Sequence, residues 1–504
     1  MRPRAIVLTL LVSLGLAPPP ARTASTTPAA AAAAPALQLA PCHIEQLQRL
    51  LSISAECGYL TVPENQAEPD GRQIRLFVAR VPAVSRRKQA DPLFLLAGGP
   101  GLGASVFYPN AAAAFARIRR DRDIILVDQR GTGRSNPLNC RFDEAQMWSA
   151  GDDEVTRIMA ACRTELAKAN DIAQFTTSVA VADLDAVRAA LGLTRINLYG
   201  GSYGTRVAQH YARRYPQHTR ALILDGVVPP TLALGPAVAI DAQNAVARIL
   251  ARCREDAACQ AQFGDPFEDY KALRETLSDH SVTVSLAEPR SGKPLRFDFT
   301  LQHLSAVLRL SGYTADQAAL LPLSLHLARR EGNFLPLAAQ FLLTTSAYDE
   351  VLSYGMHNSV VCTEDVPFFA GAGVERSAQQ QTFMGTVQVD ALNALCRDWP
   401  RGPMDADLHA PLASDVPALL LSGTADPVTP AAYGSEAARG FKHAIHLQLV
   451  DQGHGQLVAP CVNRLMAEFL DLAAEPADIG KLDTSCTKTI RPPPFFLSLS
   501  GPAP

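Results

Sequence analysis

Little charge of one sign accumulates in this chain: 46 lysines and arginines face 49 acidic residues, a formal net charge of -3. That balance removes any general electrostatic reason to bind nucleic acid or an anionic membrane. Neither a CxxC nor an HExxH spacing occurs, so a metal-site reading is poor. The apolar run near the amino terminus, Ala5 to Val12 and on through Leu16-Ala17, is too short to span a bilayer. No cysteine follows it directly, as a lipoprotein anchor would need. Charged residues make up only 19% of the chain and hydrophobic ones 47%, which supplies a core and argues against extensive disorder.

What is present begins with a targeting segment. Arg2 and Arg4 precede the apolar run, so 1–24 reads as a signal peptide, with cleavage after Ala17 or near Ala24 both open. Residues 25–41, rich in alanine, proline and threonine, read as a flexible leader. Ten cysteines fit export to a bacterial periplasm or the extracellular space, where an even count suggests disulfides. Their order suggests neighbours pairing: Cys42 with Cys57, Cys140 with Cys162, Cys253 with Cys259, Cys362 with Cys396 and Cys461 with Cys486. Sequence alone does not fix that connectivity.

Past the leader, Gly58 to Val62 and Ile74 to Val81 alternate like paired strands around the turn Pro69-Asp70-Gly71. Buried-strand runs follow at Pro92–Leu96, Ile124–Val127, Ile196–Tyr199 and Ala221–Leu224, separated by helical stretches around Ala111–Ile118, Val179–Leu191 and Thr205–Tyr215. Strand and helix in alternation imply a mostly parallel sheet covered on both faces. From about Pro229 to about Ala410 the pattern turns mainly helical, with one hairpin expected at Val282–Leu286 and Leu295–Phe299. Strands return at Ala418–Leu421 and Ile445–Val450, and a helix closes the pattern at Val462–Leu472. The expected layout is a core over 42–228, a cap over 229–410, a second core part over 411–490 and an irregular tail over 491–504. Caps cover active sites and shape the substrate pocket.

The chemistry centres on Gly200-Gly201-Ser202-Tyr203-Gly204, between a strand and a helix. A serine there sits on a sharp turn that lifts its hydroxyl clear of the sheet, and side chains at Gly200 and Gly204 would crowd the turn. Ser202 is the expected nucleophile, against a plain glycine-rich turn. Such a serine needs a histidine base and an acid to orient it, following in the order acid, then histidine, on loops after late strands. Asp426 fits the acid, after Leu419 to Gly423, with Asp225 as the alternative. His454 fits the base, flanked by Gly453 and Gly455, with His446 as its nearest rival. Donors for an oxyanion are expected from the N–H of Tyr203 and from Gly99 in the loop Gly98-Gly99-Pro100-Gly101.

Together with Asp128-Gln129-Arg130-Gly131-Thr132-Gly133-Arg134-Ser135, these segments resemble the proline iminopeptidase family and its secreted tripeptidyl-aminopeptidase-like branch, from about Cys57 to Cys461. The resemblance implies an α/β-hydrolase fold, serine exopeptidase activity on peptides with a free amino terminus, and neither metal nor organic cofactor. It places Ser202, Asp426 and His454 in the triad and Gly99 and Tyr203 in the oxyanion hole. It makes Asp128 to Ser135 a bracing loop, with Ser135 not a second nucleophile. Two positions depart from the pattern, Ala97 for a histidine and Tyr203 for a tryptophan. Both border the pocket, so strict specificity for amino-terminal proline is not carried over.

An aminopeptidase must hold an α-ammonium, which calls for carboxylates. Glu364, with Asp365 as helper, is the expected anchor; a solvated loop or a helix N-terminal charge is the plain alternative. A carboxylesterase or lipase would use the same triad without an amine anchor. An epoxide hydrolase or dehalogenase would want aspartate in place of Ser202. A non-catalytic binding protein on this scaffold would be expected to lack a triad member, and none is missing. Oligomeric state is not legible.

Overall fold

The computed structural model describes residues 37–46, 50–143, 146–147 and 150–502. The expected signal peptide and the leader up to residue 36 lie outside the described residues. Eleven strands carry the frame: β1 (Ala40–Glu45), β2 (Ser52–Pro63), β3 (Gln73–Val81), β4 (Leu93–Leu96), β5 (Ile124–Val127), β6 (Ile196–Gly201), β7 (Thr219–Asp225), β8 (Val282–Ala287), β9 (Pro294–Phe299), β10 (Ala418–Gly423) and β11 (Ala444–Leu449). The helices needed below are α1 (Ala104–Ala111), α2 (Thr177–Ala190), α3 (Tyr203–Arg214), α4 (Val238–Glu255), α5 (Leu301–Ser311), α6 (Tyr354–Glu364), α7 (Ala431–Ala438) and α8 (Val462–Leu472).

Nine strands form one sheet in the order β1-β2-β3-β5-β4-β6-β7-β10-β11. β5, β4, β6, β7, β10 and β11 run parallel, and β1, β2 and β3 add an antiparallel edge. Successive side chains of a strand point to opposite faces, and β4 shows the consequence. Phe94 and Leu96 join one buried cluster with Val181 and Leu184 of α2 and Val207 and Tyr211 of α3. Leu93 and Leu95 join the other, with Tyr108 of α1 and Leu465 and Phe469 of α8. A sheet buried on both faces explains why these strands read as continuous apolar runs.

The helix-rich stretch falls between β7 and β10. Most of it closes on its own apolar cluster, including Val246, Leu250, Leu304 and Leu308, with the expected hairpin as β8 and β9. α6 differs: its Met356, Val360 and Val361 belong to the cluster under the sheet.

Three expectations change in detail. The leader's last residues, Ala40 and Pro41, already belong to edge strand β1, paired with Cys57 and Glu56. The helix expected over Ala111–Ile118 is split, because a 3-10 turn at Ala112–Phe115 drops Phe115 into the core against Tyr199, ring centroids 5.0 Å apart. The tail is not wholly an irregular surface segment: Phe495 is buried in the helical cluster with Arg252 4.2 Å over its ring. Two short strands follow it, β12 (Phe496–Ser498) and β13 (Gly501–Pro502). All ten cysteines form the five neighbour pairs, with Cα separations from 5.0 to 6.6 Å. Among the described residues no helix is long and apolar enough to cross a membrane.

Candidate active site

Ser202 stands between β6 and α3 with φ 54° and ψ -124°, a strained backbone for a residue with a side chain. Its N–H donates to the Asp225 carbonyl at 2.8 Å, which ties the turn to β7. A Cβ at Gly200 would lie 2.8 Å from the Thr205 nitrogen, and one at Gly204 2.8 Å from the Ala97 carbonyl. Both glycines are therefore required by close backbone approach. The loop after β4 passes over the serine: a Cβ at Gly98 would meet Ser202 Cβ at 3.0 Å. Gly99 follows with φ 109°, and Tyr203 opens α3, where an N–H has no partner inside the helix. The loop after β4 and the first residue of α3 thus both lie next to Ser202.

That loop is gripped from two sides. Ser353 N–H donates to the Gly101 carbonyl at 3.0 Å, and His357 Nδ1 lies 3.0 Å from the Pro100 carbonyl. From the other side, buried Asp128 accepts from Ser105 N–H and Oγ and from Arg134 N–H at 2.7 to 2.8 Å. Arg130, fully buried, forks onto Asp183 at 2.6 and 2.8 Å. Ser135 Oγ accepts from Phe77 N–H at 2.7 Å, a buried structural bond.

His454 and Asp426 meet at the carboxyl ends of β10 and β11. His454 Nδ1 lies 2.8 Å from Asp426 Oδ2, which fixes Nδ1 as donor and leaves Nε2 as the basic nitrogen. The carboxylate is fully buried and accepts from the N–H groups of Val428 and Thr429, each at 2.8 Å, and from Thr429 Oγ1 at 2.7 Å. Burial alone would raise the Asp426 pKa, but the His454 charge and these bonds bring it below the ordinary aspartate value. Burial likewise pulls His454 down, and the Asp426 charge and hydrogen bond outweigh it, so the imidazole titrates above its ordinary value. The ring is backed by Gly226, where a Cβ would lie 2.9 Å from Cε1. Gly226 directly follows the residue whose carbonyl holds Ser202, so serine and imidazole share one strand end.

The rivals are occupied elsewhere. Asp225 accepts twice from Gln456 N–H, at 2.8 and 2.9 Å, and from Tyr199 OH at 3.0 Å, and burial raises it to about 6. His446 faces Ser422 Oγ at 3.0 Å and Ser435 Oγ at 3.3 Å.

Glu364 and Asp365 occupy a different setting from either expectation. They lie at the carboxyl end of α6, both fully buried. Glu364 accepts from Thr177 N–H at 2.6 Å and Thr177 Oγ1 at 2.7 Å, and Thr177 Oγ1 also lies 2.6 Å from Tyr203 OH. Arg206 Nη2 donates to Asp365 Oδ1 at 2.8 Å and stands 3.7 Å by Nη1 from Glu364. Leu234 N–H completes the Asp365 shell at 2.7 Å. Burial raises Glu364 to about 7. Neither residue, as placed, turns a free face to a substrate ammonium: the pair is spent on Thr177, Arg206 and Leu234.

Residues 91–458 match the alpha/beta hydrolase fold family. The chain belongs to that family. Among relatives of this hydrolase, a tripeptidyl aminopeptidase of Streptomyces lividans is 33% identical over 193 residues, 35% of this chain and 36% of that one. The match thus spans little more than a third of that relative. The serine protease Hip1 of Mycobacterium tuberculosis (strain CDC 1551 / Oshkosh) is 26% identical over 442 residues, 81% of this chain and 83% of that one. A proline iminopeptidase of Mycobacterium smegmatis superposes with a TM-score of 0.41 at 16% identity, covering 83% of this hydrolase and 100% of its own chain.

Several residues of the hydrolase site escaped the reading of the sequence. Thr429 bonds Asp426 and lies 3.1 Å by Oγ1 from His454 Nδ1. The spacing Asp426-x-x-Thr429, a carboxylate capping the turn it opens, was the available signal. Thr177, Arg206 and His357 come from distant segments and carry no local signal. One further group, His210, Asp405 and Asp407, holds donor atoms close enough together for a metal ion. It contains no triad side chain, and Arg214 stands 3.4 Å from Asp405, where its charge opposes a cation.

Proposed function

We propose that this hydrolase is an exported serine exopeptidase that releases an amino-terminal residue or short peptide through an acyl-enzyme on Ser202. The observation that carries the reading is the 2.8 Å bond from His454 Nδ1 to Asp426 at the strand end shared with the Ser202 turn. The peptidase names of the two relatives support the peptide class. His454 Nε2 takes the Ser202 proton as Oγ attacks the carbonyl, and the N–H groups of Gly99 and Tyr203 receive the developing oxyanion. His454 then protonates the departing amine, and water releases the acyl group by the same route. The helical stretch over 229–410 serves as the cap. Five disulfides and the basic, then apolar amino terminus support export.

In this reading Glu364 and Asp365 act behind the site, holding Thr177 and Arg206 under Tyr203. The carboxylate better placed for an ammonium is Asp241 on α4. It is half-buried, only its Oδ2 is bonded among the described residues, by Tyr433 OH of α7 at 2.6 Å, and the nearby Asp426 charge helps burial raise it to about 6.

Matched aminoacyl and tripeptidyl chromogenic amides, each with a free and an acetylated amine, test the reading against a short acyl ester, with Ser202→Ala as background. Free-amine amides should be cleaved and acetylation should abolish it, with Ser202→Ala lowering kcat by about 10^4-fold or more. Asp241→Asn should erode the free-amine preference. Ester cleavage alone, indifferent to the amine, would instead assign a carboxylesterase.

A further inference from the structure

Arg309 is a cation in search of a partner. It lies on α5, whose end meets the loops of Asp426 and His454. A Cβ on Gly312 would touch Pro427 at 2.9 Å. The Tyr313 carbonyl accepts the His454 N–H at 2.9 Å, and the Tyr313 ring packs edge-on to the imidazole with centroids 5.1 Å apart. Arg309 lies in the last turn of α5, three and four residues before Gly312 and Tyr313.

The Arg309 side chain is half-buried, and its Nε is shielded from solvent without a hydrogen-bond partner. Among the described residues the guanidinium has neither hydrogen bond nor ion pair. Its positive charge opposes protonation of both His454 and His357. His357 is bonded to Pro100, next to Gly99, so the Arg309 charge is felt on both sides of the proposed acyl site. A guanidinium partly stripped of water and left unpaired is costly. Its flat fork of donors matches a carboxylate in two parallel bonds.

Resting on the exopeptidase reading, we infer that Arg309 receives a substrate carboxylate on the leaving-group side of the scissile bond, so that the preferred substrates are short peptides anionic beyond that bond. The leaving-group side follows from His454, which must face the departing amine to protonate it. Two sources supply such a carboxylate: the α-carboxylate of a peptide ending just past the cut, or an acidic side chain there.

Three matched pairs test this in the whole protein and in Arg309→Ala and Arg309→Lys. One pair of short peptides has a free or an amidated carboxyl end. The second pair is amidated, with Glu or Gln after the cut. The third is a pair of acyl esters whose leaving alcohol carries a carboxylate or its methyl ester. The anionic member should lead by tenfold or more in kcat/KM, and the ratio should fall towards one in Arg309→Ala and partly recover in Arg309→Lys. Because each ratio is taken within one variant, a general loss of activity cancels. Preference in the first pair alone assigns the α-carboxylate, and in the second alone the side chain. Silence of both peptide pairs with preference in the esters would sink the peptidase reading and leave Arg309 as a carboxylate receptor. Equal rates within every pair, or a ratio untouched by Arg309→Ala, would overturn the inference.

Discussion

Asp426 joins the turn it opens to the imidazole, because it accepts from Thr429, Val428 and His454 at once. Its charge holds His454 above the ordinary histidine pKa of 6.5. The proposed base must be neutral to act, so kcat/KM should rise with pH through a limb lying above that value. In Asp426→Asn the raising charge is gone and burial remains, so the limb should move to lower pH while the rate falls. A pH profile with the limb unmoved would mean that another group titrates. Thr429 holds the carboxylate by one hydroxyl bond, so Thr429→Val should cost about tenfold in kcat/KM, the value of a single bond to a charged group, and Thr429→Ser should keep most of it. The strand-end turns that carry Ser202, Asp426 and His454 were legible in the sequence because each is marked by glycine after an apolar strand. The buried setting of Glu364 and Asp365 was not legible, because an acid pair after an apolar run looks the same whether it faces solvent or a buried guanidinium.

Among the elements, α6 does the most unexpected work. Its amino-terminal end holds the Gly99 loop through His357 and through Ser353, the residue just before it, and its last residue, Glu364, reaches Tyr203 through Thr177. One helix therefore braces both proposed oxyanion donors. It was not legible as a helix because residues 355–356 and 358–364 are buried on all sides, leaving no polar face to mark a 3.6-residue period. The parallel strands were legible for the opposite reason, since burial on both faces produces short unbroken apolar runs with glycine ends. Cys362 ties α6 to Cys396, 34 residues on, and Trp399 Nε1 donates to Ser359 at 3.1 Å. Replacing both cysteines by serine should lower stability by about 3 to 4 kcal/mol, the loop-closure value for a ring of that length. Denaturant titration measures it, and an unchanged midpoint would show that packing alone fixes the helix.

Across the whole molecule, one sheet with two buried faces brings three distant turns to the same edge, at residues 202, 426 and 454. Its antiparallel edge is pinned to the parallel part by Arg130, which forks onto Asp183 of α2 and donates to the carbonyl of Glu64, just past β2. Asp183→Asn leaves that buried guanidinium uncompensated and should cost about 3 to 5 kcal/mol in global unfolding, read by chemical denaturation. Acid-quenched peptide mapping tests for the proposed acyl-enzyme on Ser202. The protein is mixed with a free-amine tripeptidyl p-nitrophenyl ester, quenched within a turnover, digested and weighed. A peptide containing Ser202 heavier by one acyl group, and absent from Ser202→Ala, is the predicted result. Turnover with Ser202 unmodified, or an adduct on another residue, would rule that intermediate out.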